Sequence, residues 1–169
     1  MKKVIVFTLI SLFSLAIKAQ LSERDRKFVK CTAEEGLYEV KLGELARKTG
    51  LSIDVKALAT HMVEDHSKAN SELKELADKK GIAFPTSMNS KAMKHYDKLA
   101  KKQGKDFDKA YTMCLMMTLK KSICMFKKEV KKGSDTDIKA WAANTLKTLE
   151  QHKEMTKETC NAIKEKKKK

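Results

Sequence analysis

Residues that break helices are scarce in this chain and fall at wide intervals. It holds one proline and six glycines in 169 residues, and Gly50, Gly81, Pro85, Gly104 and Gly133 punctuate long stretches in which apolar residues recur at helical spacing. No window alternates apolar and polar residues for long, so helices are the default. The first is expected over residues 22–49, with Ser22 as N-cap, Glu23 and Asp25 in the first turn, and Gly50 as the stop. The second is expected over 53–80, capped by Ser52 and closed by Gly81, with Pro85 just beyond. A lysine-rich connector over 85–106 carries a short helical stretch at 90–102, bounded by Gly104. Asp106 is read as the cap of a third long helix over 106–132, and Asp135 or Asp137 opens the fourth after the turn Gly133-Ser134-Asp135.

Four amphipathic helices of this size, each about 40 Å long, make an all-α four-helix bundle the natural fold. The connector can travel the bundle's length, which would make helices two and three parallel, as in ferritin-like folds. A plain up-and-down bundle is the alternative.

Polar residues interrupt the inward stripes at one height. The first stripe takes Phe28, Thr32, Glu35, Glu39, Leu42 and Ala46; the second takes Val55, Leu58, Met62, Ala69, Leu73 and Leu76, with Asp65 and His66 in its gap. The third is apolar through Tyr111, Leu115, Leu119, Ile123, Phe126 and Val130. The fourth takes Ile138, Ala142, Thr145, Leu149, Thr159 and Ile163 and carries His152 inward. Glu35, Glu39, Asp65, His66 and His152 therefore share a layer. Carboxylates and imidazoles projected from facing helices into a bundle suit Fe, Mn or Zn. The same groups also suit a metal-free hydrogen-bond network. His61 and Glu64 fall off the stripe and His95 lies in the connector, so all three are expected in solvent. Met113, Met116 and Met117 are read as filler rather than a Cu(I) site.

Four segments, EEGLYEVKLGELA from Glu34, VKALATHMVEDHSKANSELKELADKKGIAFP from Val55, FDKAY from Phe107 and LKTLEQH from Leu146, carry a resemblance. The chain resembles the exported ferritin-like domain-of-unknown-function family, often labelled predicted outer membrane protein. The resemblance implies a helical bundle, a place in the bacterial envelope and a metal-binding centre. In one respect the chain departs from it: the family's third helix places a His eight residues beyond the Tyr that matches Tyr111, preceded by an acid, whereas this chain has Leu119 and Thr118 there. A di-iron oxidase or peroxidase-like activity would need two bridging acids and two Glu-x-x-His-type pairs, and the second pair is absent. The reading is thus a metal-binding bundle with an incomplete ligand set; the alternative is a metal-free structural or stress-related bundle acting through its basic surface.

The N-terminal stretch MKKVIVFTLISLFSLAIKAQ has two lysines, an uncharged run over 4–17 and a small residue at Ala19, the layout of a secretory signal peptide over 1–19. The run is short for a membrane span, which needs about 20 residues. A domain over 20–169, periplasmic or secreted, follows. Net charge is +15, much of it lysine on solvated faces and at the C-terminus. An exported chain with one Trp, three Tyr and no basic-aromatic motif is not read as a nucleic-acid binder. Weak contact with an anionic envelope surface is consistent with the charge.

Four cysteines in an exported chain suggest two disulfides. Cys114 and Cys124 lie on one helix about 15 Å apart, beyond the roughly 7 Å limit for a bridge. The ferritin-like arrangement levels Cys31 with Cys124 and Cys114 with Cys160, and these are the expected pairs. With no Cys-x-x-Cys present, a thioredoxin-like activity has no support.

Overall fold

The computed structural model describes residues 21–165 and contains five helices and no strand among them: α1 (Glu23–Thr49), α2 (Ile53–Lys80), α3 (Ser90–Ala100), α4 (Gly104–Lys132) and α5 (Thr136–Glu165). The signal peptide expected over 1–19 lies outside the described residues. Among the described residues no helix is long and apolar enough to cross a membrane.

Helix ends follow from local chemistry. Ser22 and Asp25 form a capping box that satisfies free N–H groups at the start of α1. The Ser52 hydroxyl accepts from Asp54 N at 3.2 Å, and Gly81, at φ 65, ends α2 in a left-handed turn that favours glycine. Asn89 caps α3 by accepting from Ala92 N at 3.0 Å. The third long helix starts two residues before the expected Asp106: Gln103 is its N-cap, without a side-chain bond, and Asp106 sits in the first turn, where a carboxylate favours the positive end of the helix dipole. Of the two candidates at the fourth helix, Asp135 is the cap, accepting from Asp137 N and Ile138 N at 3.0 Å each.

Side-chain pairs fix the topology. α1 runs antiparallel to α4, as Glu35 meets Ser122 and the Leu51 N–H meets Asp108. α2 runs antiparallel to α5, as Lys80 meets Asp135 and Asp65 meets His152. With α1–α2 and α4–α5 each a hairpin, α2 and α4 are parallel, which is the ferritin-like arrangement and not the up-and-down one. α3 packs outside the bundle against α1 and α4.

Two buried aspartates clamp the hairpins together. Asp108 of α4 accepts from Leu51 N at 2.9 Å and Ser52 N at 2.8 Å in the α1–α2 turn, while Asp25 of α1 accepts from Ser134 N at 2.9 Å in the α4–α5 turn. Each hairpin's turn is thus satisfied by the other hairpin. Close approach of α1 to α2 depends on Gly36 and Gly43: an added Cβ at Gly36 would lie 1.9 Å from Asn70 Oδ1, and one at Gly43 would lie 2.7 Å from Val63 Cγ2. Around the midsection the core is Leu42, Met62, Leu73, Leu115 and Leu119, all essentially solvent-free. Burying each such side chain contributes roughly 1.5–3 kcal/mol.

The expected disulfides are corrected by the structure: Cys31, Cys114, Cys124 and Cys160 are free thiols. The side-chain directions do not suit the pairs. Cys114 Sγ lies 3.2 Å from the Tyr38 hydroxyl on α1, away from Cys160 on α5, and Cys124 stands on the solvent face of α4.

Candidate functional site

Each helix of the α1, α2 and α5 group contributes to a polar layer because a titratable residue occupies an inward position of its stripe. On α1, Glu39 is 3% exposed; on α2, His66 is 6% exposed; on α5, His152 is 2% exposed. They meet in two carboxylate–imidazole pairs. Glu39 Oε2 lies 3.0 Å from His66 Nδ1, and Asp65 Oδ2 lies 2.8 Å from His152 Nε2. The two rings are neighbours, with centroids 5.2 Å apart.

Burial dominates the electrostatics. It pushes the Glu39 carboxyl up to about 8, helped by the charge of Glu35 and opposed by the Thr118 hydroxyl and the Lys121 ammonium. Burial, with His152 alongside, pushes His66 down to about 3, against the pull of Asp65. His152 is lowered by burial, which outweighs its bond to Asp65. At neutral pH the Glu39–His66 pair is therefore an uncharged acid against an uncharged imidazole.

Three donor atoms of this layer, Glu39 Oε1, His66 Nε2 and His152 Nδ1, are buried with no hydrogen-bond partner among the described residues. Next to the first pair is a cavity of about 20 Å³ lined by Thr32, Glu35, Glu39, His66, Ser122 and Trp141, among others. It has room for one water molecule or one ion. His152 is not among its lining residues.

The expected ligand set is thus only partly assembled. Glu39, His66 and His152 are buried together as expected. Asp65 reaches His152, but from the rim, its side chain 48% exposed. Glu35 is engaged elsewhere: Lys121 forms an ion pair with it, and Ser122 Oγ donates to it at 3.0 Å. His61, Glu64 and His95 are exposed, as expected. Leu119 fills the third-helix position, wholly buried. Among the described residues no group of three or more His, Cys, Asp or Glu converges as a metal-holding cluster. A dinuclear centre does not fit these residues. The two imidazoles each meet an acidic side chain through one nitrogen, while the other nitrogen is buried and unpartnered among the described residues.

Lys121 and Ser122 were not anticipated as members of the layer. Ser122 carried a signal, a polar residue beside Ile123 on an otherwise apolar inward face. Lys121 carried none, because its stem begins at the surface and only its ammonium reaches Glu35.

Comparison with known proteins bears on the fold and the family. A search of curated proteins returns no match. The crystal structure of a DUF305 fragment from Deinococcus radiodurans superimposes with a TM-score of 0.75, covering 84% of this chain and 98% of that one at 7% identity. At that identity the likeness is one of fold. The model of a family described as a domain of unknown function, DUF4142, matches residues 12–159, and the chain belongs to that family.

Proposed function

We propose that the chain is an exported protein of the bacterial envelope that holds a single transition-metal ion between His66 and His152, not a dinuclear catalytic centre. The observation that carries this reading is the paired arrangement of the imidazoles. Glu39 orients His66 through Nδ1, which turns His66 Nε2 inward; Asp65 orients His152 through Nε2, which leaves His152 Nδ1 inward. An acidic side chain behind each ring thus holds its orientation. His66 is uncharged well below neutral pH, so with its one ring proton on Nδ1, facing Glu39, the Nε2 lone pair is open to a ligand. When bound, Fe, Mn or Zn would supply a Lewis-acidic centre. Leu119 leaves the α4 side of the layer without a donor, so affinity is low and the protein is not expected to turn over substrate.

Calorimetric titration of Zn(II) or Fe(II) into the wild type, His66→Ala and Leu119→His tests the reading. Expected are weak one-site binding by the wild type, loss in His66→Ala, and binding tightened by about tenfold or more in Leu119→His, which adds a third nitrogen. Equal weak binding by all three would refute it.

A second reading is favoured by the neutrality of the Glu39–His66 pair and by Lys121, whose ammonium compensates Glu35. On that reading the layer is a metal-free network, with Glu39 and His66 completed by water in the small cavity they line, and the protein acts through its surface.

A further inference from the structure

One end of the bundle combines exposed aliphatic side chains with unpaired positive charge. At the α1–α2 turn, Leu51 is 59% exposed and Ile53 is 80% exposed. Few large apolar side chains elsewhere in the described residues are so uncovered, and these two adjoin in sequence at the tip of a hairpin. The turn is not loose. Asp108 holds the Leu51 and Ser52 N–H groups, and the Ser52 hydroxyl caps α2, so both side chains are presented from fixed backbone.

The same hydrogen bonds place the start of α4 at this end. Around the turn therefore lie Lys48 from the last turn of α1, Lys56 from the first turn of α2, Lys101 and Lys102 from the connector, and Lys105 and Lys109 from the start of α4. All six are exposed, and none forms an ion pair among the described residues. The antiparallel register of α2 and α5 brings the end of α5, with exposed Lys164 and Glu165, to this end too. The acids at this end are fewer than the lysines: Asp108 is buried in the clamp, Asp54 is partly covered beside Ser52, and Asp106 and Glu165 are exposed.

The opposite end differs. There Asp25, Glu129 and Asp135 are buried, and Lys80 is held by Asp135 and Asp137 at 2.6 Å each. Exposed cations without an ion pair among the described residues, Arg24, Arg26, Lys131 and Lys132 among them, lie at that end too, so what sets the α1–α2 tip apart is that its lysines surround two bare aliphatics.

We infer that this tip docks on a bilayer surface rich in anionic phospholipid, the lysines lying over the headgroups and Leu51 and Ile53 entering the headgroup–acyl boundary. The chemistry matches term by term. Lysines clustered at a surface attract anionic headgroups over about a Debye length, and a small apolar tip adds affinity by leaving water. No helix need insert, and binding is peripheral and reversible. This inference stands apart from the metal reading, and neither depends on the other.

Sedimentation with vesicles tests it, using protein recovered from expression of the full chain, its N-terminus defined by mass spectrometry. Phosphatidylcholine vesicles containing phosphatidylglycerol are compared with pure phosphatidylcholine, at low and high salt. Expected is binding to the anionic vesicles only, weakened by salt. Lys101→Gln with Lys105→Gln should lower the partition roughly 10- to 30-fold, about fivefold per charge. Leu51→Ser with Ile53→Ser, both at exposed positions, should lower it about tenfold or more with an unchanged melting temperature. Lys131→Gln with Lys132→Gln, at the other end, should change it little. Equal losses from the two lysine pairs would overturn the inference in favour of unlocalised charge. So would binding to an anionic polysaccharide but not to vesicles. A wild-type dimer that Leu51→Ser with Ile53→Ser dissociates, without vesicle binding, would assign the tip to self-association instead.

Discussion

Replacing Glu129 by Gln should stabilise the protein at alkaline pH and leave it nearly unchanged in mild acid. Glu129 lies near the end of α4, 2% exposed, with Oε1 unpartnered among the described residues. It shares a hydrogen bond with Asp25, and burial, that bond and the Asp25 charge together push its carboxyl up to about 7, from an ordinary value of 4.5. Burial alone would raise Asp25 as well. Its bonds from the Ser22 hydroxyl, the Ser134 backbone and Glu129 outweigh that and hold it down at about 2. The pair therefore holds one proton over a wide range, on Glu129.

The sign follows from which state binds more protons. Between about 4.5 and 7 the folded chain keeps the Glu129 proton and the unfolded chain does not, so stability falls as pH rises through that window and is flat above it. A shift of about 2.5 units corresponds to about 3 kcal/mol. Asp25 acts oppositely and lower: its contribution is present above about 4 and is lost as pH falls toward 2. In Glu129→Gln the amide donates to Asp25 at every pH. The variant should thus exceed the wild type by about 3 kcal/mol at pH 8, or about 6–12 °C in Tm, with the difference vanishing near pH 4.5. Glu39, raised to about 8, and His66, lowered to about 3, also titrate on unfolding, but they are common to both proteins and cancel in the difference. Thermal melts at half-unit steps from pH 4 to 8.5 read it out. A difference that does not vary with pH, or a variant less stable at pH 8, would refute the shared proton.

Two further outcomes are expected. Asp108→Ala leaves the Leu51 and Ser52 N–H groups without their carboxylate and should cost about 2–4 kcal/mol in urea unfolding, with Asp108→Asn costing less because one acceptor remains; an unchanged midpoint would mean that the hairpins need no clamp. In a native thiol titration Cys124, on the solvent face, should react first and Cys114 slowest, since burial raises its thiol and Tyr38 covers it; peptide mapping that finds Cys31 bridged to Cys124 would contradict the free-thiol state.

The helices were legible because their signals are local. Ser22, Ser52 and Gly81 act within one turn of themselves, and the stripes through Leu42, Leu73 and Leu115 require only helical spacing to be seen. The parallel placement of α2 and α4 followed from connector length alone. What escaped the sequence depends on pairs far apart in the chain. Nothing in the stretch around Asp25 or Asp108 distinguishes a surface acid in a first turn from one reaching across to another hairpin's turn. Height matching could not show that the Cys114 thiol turns toward Tyr38, because direction on a helix is set by packing and not by level. The polar layer was visible for the same reason as the core: Glu39, His66 and His152 stand on stripes where solvent-facing residues do not belong.

How those residues divide, however, follows from charge compensation, which only the assembled molecule reveals. Five titratable groups at one height suggest five ligands. In the structure Lys121 takes Glu35, Asp65 stays at the rim to hold His152, and Glu39 becomes a neutral partner of His66. Glu35 is paired with Lys121 and Glu39 keeps its proton, so neither presents an uncompensated anion to a cation at the buried imidazole nitrogens. Any metal affinity on the proposed reading must then come from the two open imidazole nitrogens, and nitrogen donors favour borderline ions such as Zn(II) or Fe(II) over the harder, oxygen-preferring Mn(II). Leu119 offers no donor from α4, so on the proposed reading the remaining selectivity rests on nitrogen alone.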